Sequence, residues 1–287
     1  MKKNILLALT TLLSVNTFAI NKVIYGKDNR VESRLHPNKN LRILAKSVAA
    51  RVSQYDIYKD GDQYSFPTRS LSYKMNVCES ERFKDQVSLS DCTGFLVGKD
   101  ILVTAGHCME TKSDCKRNQW VFGFDDNSKR FSQDQVYSCA EIIEQEAKYN
   151  LLGYAKDFAV IRLDREVVGR APLKFRSKGK LSKGSRLAVI GHPVGLPMKT
   201  ADDGRVKNTY GLTFKANLDT YGGNSGSPVF NLKTLEVEGI LIQGKNDFET
   251  KEDELCYVSS YAKGKGEKVF KINKIKSLKK LKKAGKL

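Results

Sequence analysis

Only three histidines and one tryptophan occur in 287 residues, and the six cysteines include no Cys-x-x-Cys pair. That scarcity argues against a zinc site, which needs several such ligands at close spacing. Beyond the amino terminus, no apolar run approaches the roughly 20 residues that a membrane-spanning helix requires. There is no internal repeat, no low-complexity tract and no nucleic-acid-binding motif. Acids are scarce as well: 32 Asp and Glu stand against 50 Lys and Arg, a formal charge of +18. Nothing here calls for a cofactor or a metal.

What is present begins with Met1-Lys2-Lys3-Asn4 followed by ILLALTTLLSVNTFA, a short positive region, an apolar stretch and small residues at Thr17 and Ala19. This reads as a cleaved secretory signal over residues 1–19, with no cysteine at the cleavage site for a lipid anchor. The expectation is an exported chain, secreted or periplasmic, and six cysteines in such a chain favour disulfides. Short runs rich in Val, Ile and Phe recur between turn residues: TGFLV, ILVTA, WVFGF, FAVIRL, RLAVIG, SPVF, VEGILIQG and CYVSSYA. Their spacing predicts an all-β sandwich or barrel rather than alternating helices and strands.

The charge is lopsided. From Ala262 to the end there are eleven lysines and one acid. Within VFKINKIKSLKKLKK, Ile272, Ile275, Leu278 and Leu281 recur every three residues, which predicts a basic helix with a narrow apolar stripe. Such a helix docks on the domain with its lysines in water, or offers weak electrostatic contact to anionic surfaces. Few aromatics are interleaved, so no specific nucleic-acid contact is expected.

Chemistry gathers in three places. TYGGNSGSPVF, residues 220–230, puts more glycine around Ser225 than a plain turn needs. It reads either as a capped β-turn or as an exposed nucleophile beside backbone N–H donors. A serine hydroxyl needs a base, and of His36, His107 and His192 only His107 follows a strand in a setting such as ILVTAGHC. The base needs an anion, and Asp157 opens the apolar run DFAVIRL, with Asp164 at its far end as the fallback.

TAGHC, DFAVIRL and GNSGSPVF, in the order His, Asp, Ser, resemble the chymotrypsin-like serine peptidases. The glutamyl endopeptidase branch of secreted bacterial enzymes shares GGNSGSPVFN. The resemblance covers about residues 92 to 262, with a weaker match at VIYGKDNR, 23–30. It implies two six-stranded antiparallel β-barrels with the site between them, to which the basic apolar stripe adds a helix at the C-terminus. The corresponding boundaries are 20–46 for a leader, 47–166 and 167–262 for the barrels, and 263–287 for the basic tail. It implies a serine endopeptidase acting on polypeptides, as a monomer, with His107, Asp157 and Ser225 as catalytic residues. Gly223 and Ser225 would supply the oxyanion amides. Ile242, Gln243 and Gly244 lie on the strand that pairs with substrate backbone in this family.

Cys92 and Cys108 match a family bridge. With that pair fixed, Cys115 is expected with Cys139 and Cys78 with Cys256. The match at 23–30 implies a mature start at Val23, after loss of the signal and Ile20-Asn21-Lys22; the alternative is a longer leader removed near Lys46. Asn224 stands where the trypsin branch keeps the aspartate that pairs with the freed amino terminus. Substrate preference pulls two ways. Asp219 occupies the place of the trypsin-like specificity aspartate and implies Arg or Lys before the scissile bond. Thr220 matches the glutamyl enzymes, but Leu241 stands where they keep a histidine, and Tyr221 replaces the bridge behind the pocket. The alternatives carried with this reading are a glutamyl-specific endopeptidase and a catalytically inactive binding protein of the same fold.

Overall fold

The computed structural model describes residues 24–149, 155–243, 247–261 and 266–287. The signal segment, Val23 and Gly244 lie outside them. Twelve strands form two closed antiparallel barrels. The first comprises β1 (Val48–Ser53), β2 (Cys92–Leu96), β3 (Ile101–Thr104), β4 (Asn118–Phe122), β5 (Val136–Tyr149) and β6 (Ala155–Leu163). Its strands neighbour one another in the order β6-β3-β2-β1-β4-β5, and β5 pairs with β6 to close it. The second comprises β7 (Arg186–Gly191), β8 (Lys199–Tyr210), β9 (Thr213–Ala216), β10 (Pro228–Asn231), β11 (Val237–Gln243) and β12 (Glu267–Lys271). Its order is β8-β7-β10-β11-β12-β9, closed by β8 on β9.

Strands β2, β3 and most of β6 are buried along their length, which is why they appear in the sequence as nearly unbroken apolar runs. Trp120 on β4 fills the first barrel. A Cβ at Gly94 would lie 2.6 Å from both its ring and Leu102, so glycine on β2 makes room for the indole. The second barrel closes over Leu187, Val189, Val206, Phe214, Leu218 and Val269. A further cluster runs from the first barrel into the second, and Phe158 stacks on Phe270 across it at 5.0 Å.

Both ends of the described chain are tied to the barrels. Val31–Glu32 adds a short strand to the edge of β8. Ile24 is fully buried with Leu71, Val194 and Tyr221. At the other end, the stretch read as one helical stripe divides. Val269 and Phe270 sit side by side between Lys268 and Lys271 in β12, a strand beyond residue 262 that completes the second barrel. Ile272 and Ile275 bracket a 3-10 turn, and only Lys276–Lys283 is α-helical. A three-residue spacing suits a 3-10 turn as well as a helix, and EKVFK becomes a strand through its pairing with both β9 and β11. CYVSSYA supplies Cys256–Ser259, which pairs with Phe248–Lys251 in a hairpin outside both barrels. Three disulfides join Cys92 to Cys108, Cys115 to Cys139 and Cys78 to Cys256.

Candidate active site

Strand β3 ends at Thr104, and Gly106–Cys108 forms one 3-10 turn. A Cβ at Gly106 would meet the Glu146 carbonyl oxygen at 1.9 Å, so the turn lies hard against β5 only because this residue is glycine. The Cys92–Cys108 bridge pins the turn to β2. On β6, Asp157 is paired in register with Ala147 and is completely buried. A buried carboxylate must be compensated by hydrogen bonds. Asp157 Oδ1 accepts the backbone amide of His107 at 3.0 Å, and Oδ2 stands 2.7 Å from His107 Nδ1. The Tyr149 hydroxyl donates a third hydrogen bond, to Oδ2. Burial and that carboxylate raise the Tyr149 phenol well above its ordinary value, so it stays a donor. Facing a carboxylate, Nδ1 is the ring nitrogen placed to donate, and Nε2 has no hydrogen-bond partner among the described residues. The imidazole is one-third exposed, open to a substrate.

The Ser225 turn is held against this hairpin from the second barrel. The Ser225 carbonyl accepts the Thr93 amide at 2.8 Å and lies 3.8 Å from Cys108 Sγ. The Thr93 hydroxyl donates to the Gly223 carbonyl at 2.8 Å. Gly226, at φ +91°, comes so close that a Cβ would lie 1.9 Å from the Thr93 carbonyl oxygen and 2.3 Å from Thr104 Oγ1. The turn is braced internally: Asn224 N donates to the Tyr221 carbonyl at 3.0 Å, and Ser227 Oγ donates to Asn224 Oδ1 at 3.2 Å. Asn224 therefore has a partner within its own turn. Among the described residues, no hydrogen bond uses Ser225 Oγ or the amides of Ser225 and Gly223. A hydroxyl on a turn seated against Thr93 and Cys108, next in sequence to His107, together with two unclaimed amides, is the set of groups that nucleophilic attack on a carbonyl and stabilisation of the resulting oxyanion require.

The neighbouring wall is arranged differently from a simple cation pocket. Asp219 is buried, and its two oxygens accept the amides of Tyr25 at 2.8 Å and Asn29 at 3.2 Å. Burial raises its pKa to about 6. Arg30, from the same amino-terminal segment, is paired with Asp28 and lies 4.1 Å over the Tyr221 ring. Thr220 is fully buried with its hydroxyl unpartnered among the described residues. Leu241 packs within the second-barrel core and Ile242 within the cluster between the barrels. Asp247 accepts the Gly222 amide at 2.7 Å, and burial raises its pKa to about 6.

The other candidates are engaged differently, although the His192 backbone borders the Ser225 turn, its amide donating to Thr93 Oγ1 at 3.1 Å. His192 is buried and stacked on Phe124 at 5.7 Å, its pKa lowered by burial to about 4. His36 stands 3.5 Å from Asp202, and Asp164 pairs with Arg165. Cys92, His107 and Cys108 come together, as do Cys78, Glu254 and Cys256, but the cysteine sulfurs of each group are bonded to one another and offer no thiolate to a metal.

A family model described as the trypsin-like peptidase domain matches residues 92–240, more than half of the chain. The chain belongs to the trypsin-like peptidase family. Among its relatives in that family, a glutamyl endopeptidase of Staphylococcus aureus (strain MRSA252) is 30% identical over 158 residues, 52% of this chain and 41% of the relative. Secreted RxLR effector protein 73 of Plasmopara viticola is 30% identical over 155 residues, 49% of this chain and 38% of the relative. The matched part thus spans less than half the length of these curated relatives. A solved structure of a Glu endopeptidase in complex with MPD shares the fold of this trypsin-like peptidase domain. Its TM-score is 0.54 at 18% identity, over 92% of this chain and 99% of that one.

Two residues of the trypsin-like peptidase site carried no local signal. Tyr149 lies eight positions from Asp157 in a polar stretch, and only the pairing of β5 with β6 brings its phenol to the carboxylate. Thr93 sits inside the run TGFLV, where its side chain looks like filler. A polar residue in an otherwise apolar buried strand, next to a cysteine, is the one hint the sequence offers.

Proposed function

We propose that this protein is a serine endopeptidase that cleaves polypeptides through an acyl-enzyme. Asp157, His107 and Ser225 form the catalytic set, and the amides of Gly223 and Ser225 form the oxyanion hole. The observation that carries the reading is the 2.7 Å contact between His107 Nδ1 and a fully buried carboxylate, on the hairpin against which the Ser225 turn is seated.

Each step follows from these groups. Ser225 Oγ attacks the scissile carbonyl while its proton passes to His107 Nε2. The imidazolium that forms is stabilised by Asp157, which keeps its own charge. The oxyanion moves into reach of the two amides, each worth about 10²–10³ in turnover in comparable sites. His107 then gives its proton to the departing amine. Water repeats the sequence on the acyl-enzyme and frees Ser225.

The chain is read as exported through residues 1–19, with its three disulfides formed outside the cytoplasm. The preference for Arg or Lys rests on Asp219, and that carboxylate is engaged by Tyr25 and Asn29. We therefore assign Asp219 to anchoring the amino-terminal segment, and propose no preference from it. The amino acid before the scissile bond is settled by turnover of matched peptides carrying Arg, Lys, Glu or Leu. The function itself is tested by hydrolysis of such a mixed peptide set. Wild-type protein cleaves at least one member, and Ser225→Ala, folded to the same unfolding midpoint, cleaves none. Equal residual cleavage by both proteins would remove Ser225 from the mechanism.

A further inference from the structure

Two basic runs that are far apart in sequence meet on one face of the second barrel. The first, residues 174–186, reads KFRSKGKLSKGSR and holds six cations and no acid. The second is the C-terminal stretch, whose Lys274, Lys276, Lys279, Lys280, Lys282, Lys283 and Lys286 are all exposed. Lys282 lies 5.5 Å over the ring of Phe175, which places the helix against the first run. Between the two runs is a cleft of about 360 Å³, lined by Arg176, Lys180, Tyr210, Lys271, Asn273 and Lys274 among others.

Within the cleft the groups fall into two kinds. Arg176 is committed to Glu238, and Lys271 donates to the Gly211 carbonyl at 3.0 Å. Lys180 and Lys274 are exposed and form no ion pair among the described residues. Asn273 keeps its side-chain Oδ1 buried without a hydrogen-bond partner among the described residues. A buried acceptor of that kind calls for a donor from a ligand or water, since leaving it unmade costs free energy. The cleft therefore combines unpaired cations with an acceptor that an anion alone cannot satisfy.

These features separate the classes of polyanion. The apolar side of the C-terminal stretch is spent: Ile272, Ile275 and Leu278 are buried in the protein and Leu281 packs half-buried against the same core, so little is left to enter a bilayer. Nucleic-acid sites read bases with stacked aromatics and bidentate arginines. Here lysines dominate, and Arg176 is already paired. A hydroxyl-bearing polymer with regularly spaced anionic groups answers both kinds of group at once, donating a hydroxyl proton to Asn273 and placing its charges among the lysines.

We propose that this cleft and the lysines around it bind a linear anionic polysaccharide, one carrying sulfate or carboxylate groups along a hydroxyl-rich chain. The site stands apart from the peptidase reading and uses none of its residues. It would hold the protein on an anionic matrix while leaving the cleavage site unaltered.

The test is fluorescence anisotropy with labelled dextran sulfate at about 0.15 M salt, using the full mature chain carrying Ser225→Ala. Parallel titrations use neutral dextran, an oligothymidylate and phosphatidylserine vesicles. Dextran sulfate is expected to bind best of the four, and the affinity should fall steeply with salt. The double variant Lys180→Glu/Lys274→Glu is expected to bind about tenfold or more weakly, with Asn273→Ala weakened severalfold. Lys39→Glu/Lys112→Glu, reversing exposed charges elsewhere, should change binding less than twofold. If the first double variant unfolds early, Lys180→Gln/Lys274→Gln takes its place. In the active protein, either cleft variant should cleave a short peptide at the wild-type rate, which keeps this result independent of whether the peptidase reading holds. Absence of dextran sulfate binding, an equal loss in the Lys39/Lys112 variant, or tighter binding to oligothymidylate or vesicles would each overturn the proposal.

Discussion

Replacing Asp219 with asparagine should change how stability depends on pH. Burial of Asp219 raises its carboxyl from the ordinary 3.8 to about 6, even though the amides of Tyr25 and Asn29 both donate to it. The folded chain then holds that proton where the unfolded chain has lost it, so rising pH costs stability between about pH 4 and pH 6. At no more than about 1.4 kcal/mol per pH unit, the whole titration is worth about 3 kcal/mol, of which about 2 kcal/mol falls between about pH 4 and pH 6. Below it both states are protonated, and above it both are ionised, so the dependence flattens. Asp247, also raised to about 6, titrates in the same sense, whereas His192, lowered to about 4, gains stability as pH rises. Subtracting the Asp219→Asn curve from the wild-type curve cancels both. The assay is urea unfolding at several pH values in the Ser225→Ala background, followed through the fluorescence of the single, fully buried Trp120. Wild type minus variant should fall by about 2 kcal/mol from pH 4 to pH 6 and by only about 0.4 kcal/mol more by pH 7.5. A difference that is flat across the window, or that rises, refutes the burial of Asp219 beneath the amino-terminal segment.

Three further outcomes follow from the site. Tyr149→Phe removes one hydrogen bond to Asp157 and should lower kcat by about tenfold with KM little changed, measured on a short peptide; an unaltered kcat would leave the phenol without a role. Gly226→Ala forces a Cβ onto the Thr93 carbonyl oxygen at positive φ, and should cost more than about 2 kcal/mol in urea unfolding; full wild-type stability would mean that the two barrels are not pressed together there. Removing the Cys78–Cys256 bridge, which spans 178 residues, should cost about 2–5 kcal/mol. Its double serine variant should lose the docking of the Cys256 hairpin first, seen as early proteolysis near that segment.

The parts of the fold that could be read in advance are those where burial on both faces makes a strand apolar throughout. TGFLV, ILVTA, FAVIRL and RLAVIG are of this kind, and all four lie in barrel strands. Strands with one face in water escaped notice. VYSCAEIIEQEAKY and KTADDGRVKNTY mix charged and polar residues with apolar ones at their outer positions, yet they form the longest strands of the two barrels. EKVFK was hidden in the lysine-rich tail, where the three-residue recurrence beyond it suggested a helix throughout. The candidate site divides along the same line. His107, Asp157 and Ser225 announce themselves because each stands at the edge of an apolar run in a distinctive glycine or apolar setting, although Asp157 proves to be the third residue of its strand. Contacts made by pairing or by chain return do not. Tyr149 reaches Asp157 through strand register, and Tyr25 reaches Asp219 from 194 residues away. The position of Asp219 before the nucleophile suggested a specificity residue, while the chain that covers it lies at the opposite end of the sequence.

Everything proposed for this site rests on the Ser225 hydroxyl being the nucleophile, activated by His107 on Asp157. The most direct measurement is reaction of the full chain with a fluorophosphonate, followed by intact mass and peptide mapping. A single adduct on Ser225 is expected, with the rate of labelling lowered by about 10³-fold or more in His107→Ala. No adduct on correctly folded protein, or an adduct that persists in Ser225→Ala, would contradict the account.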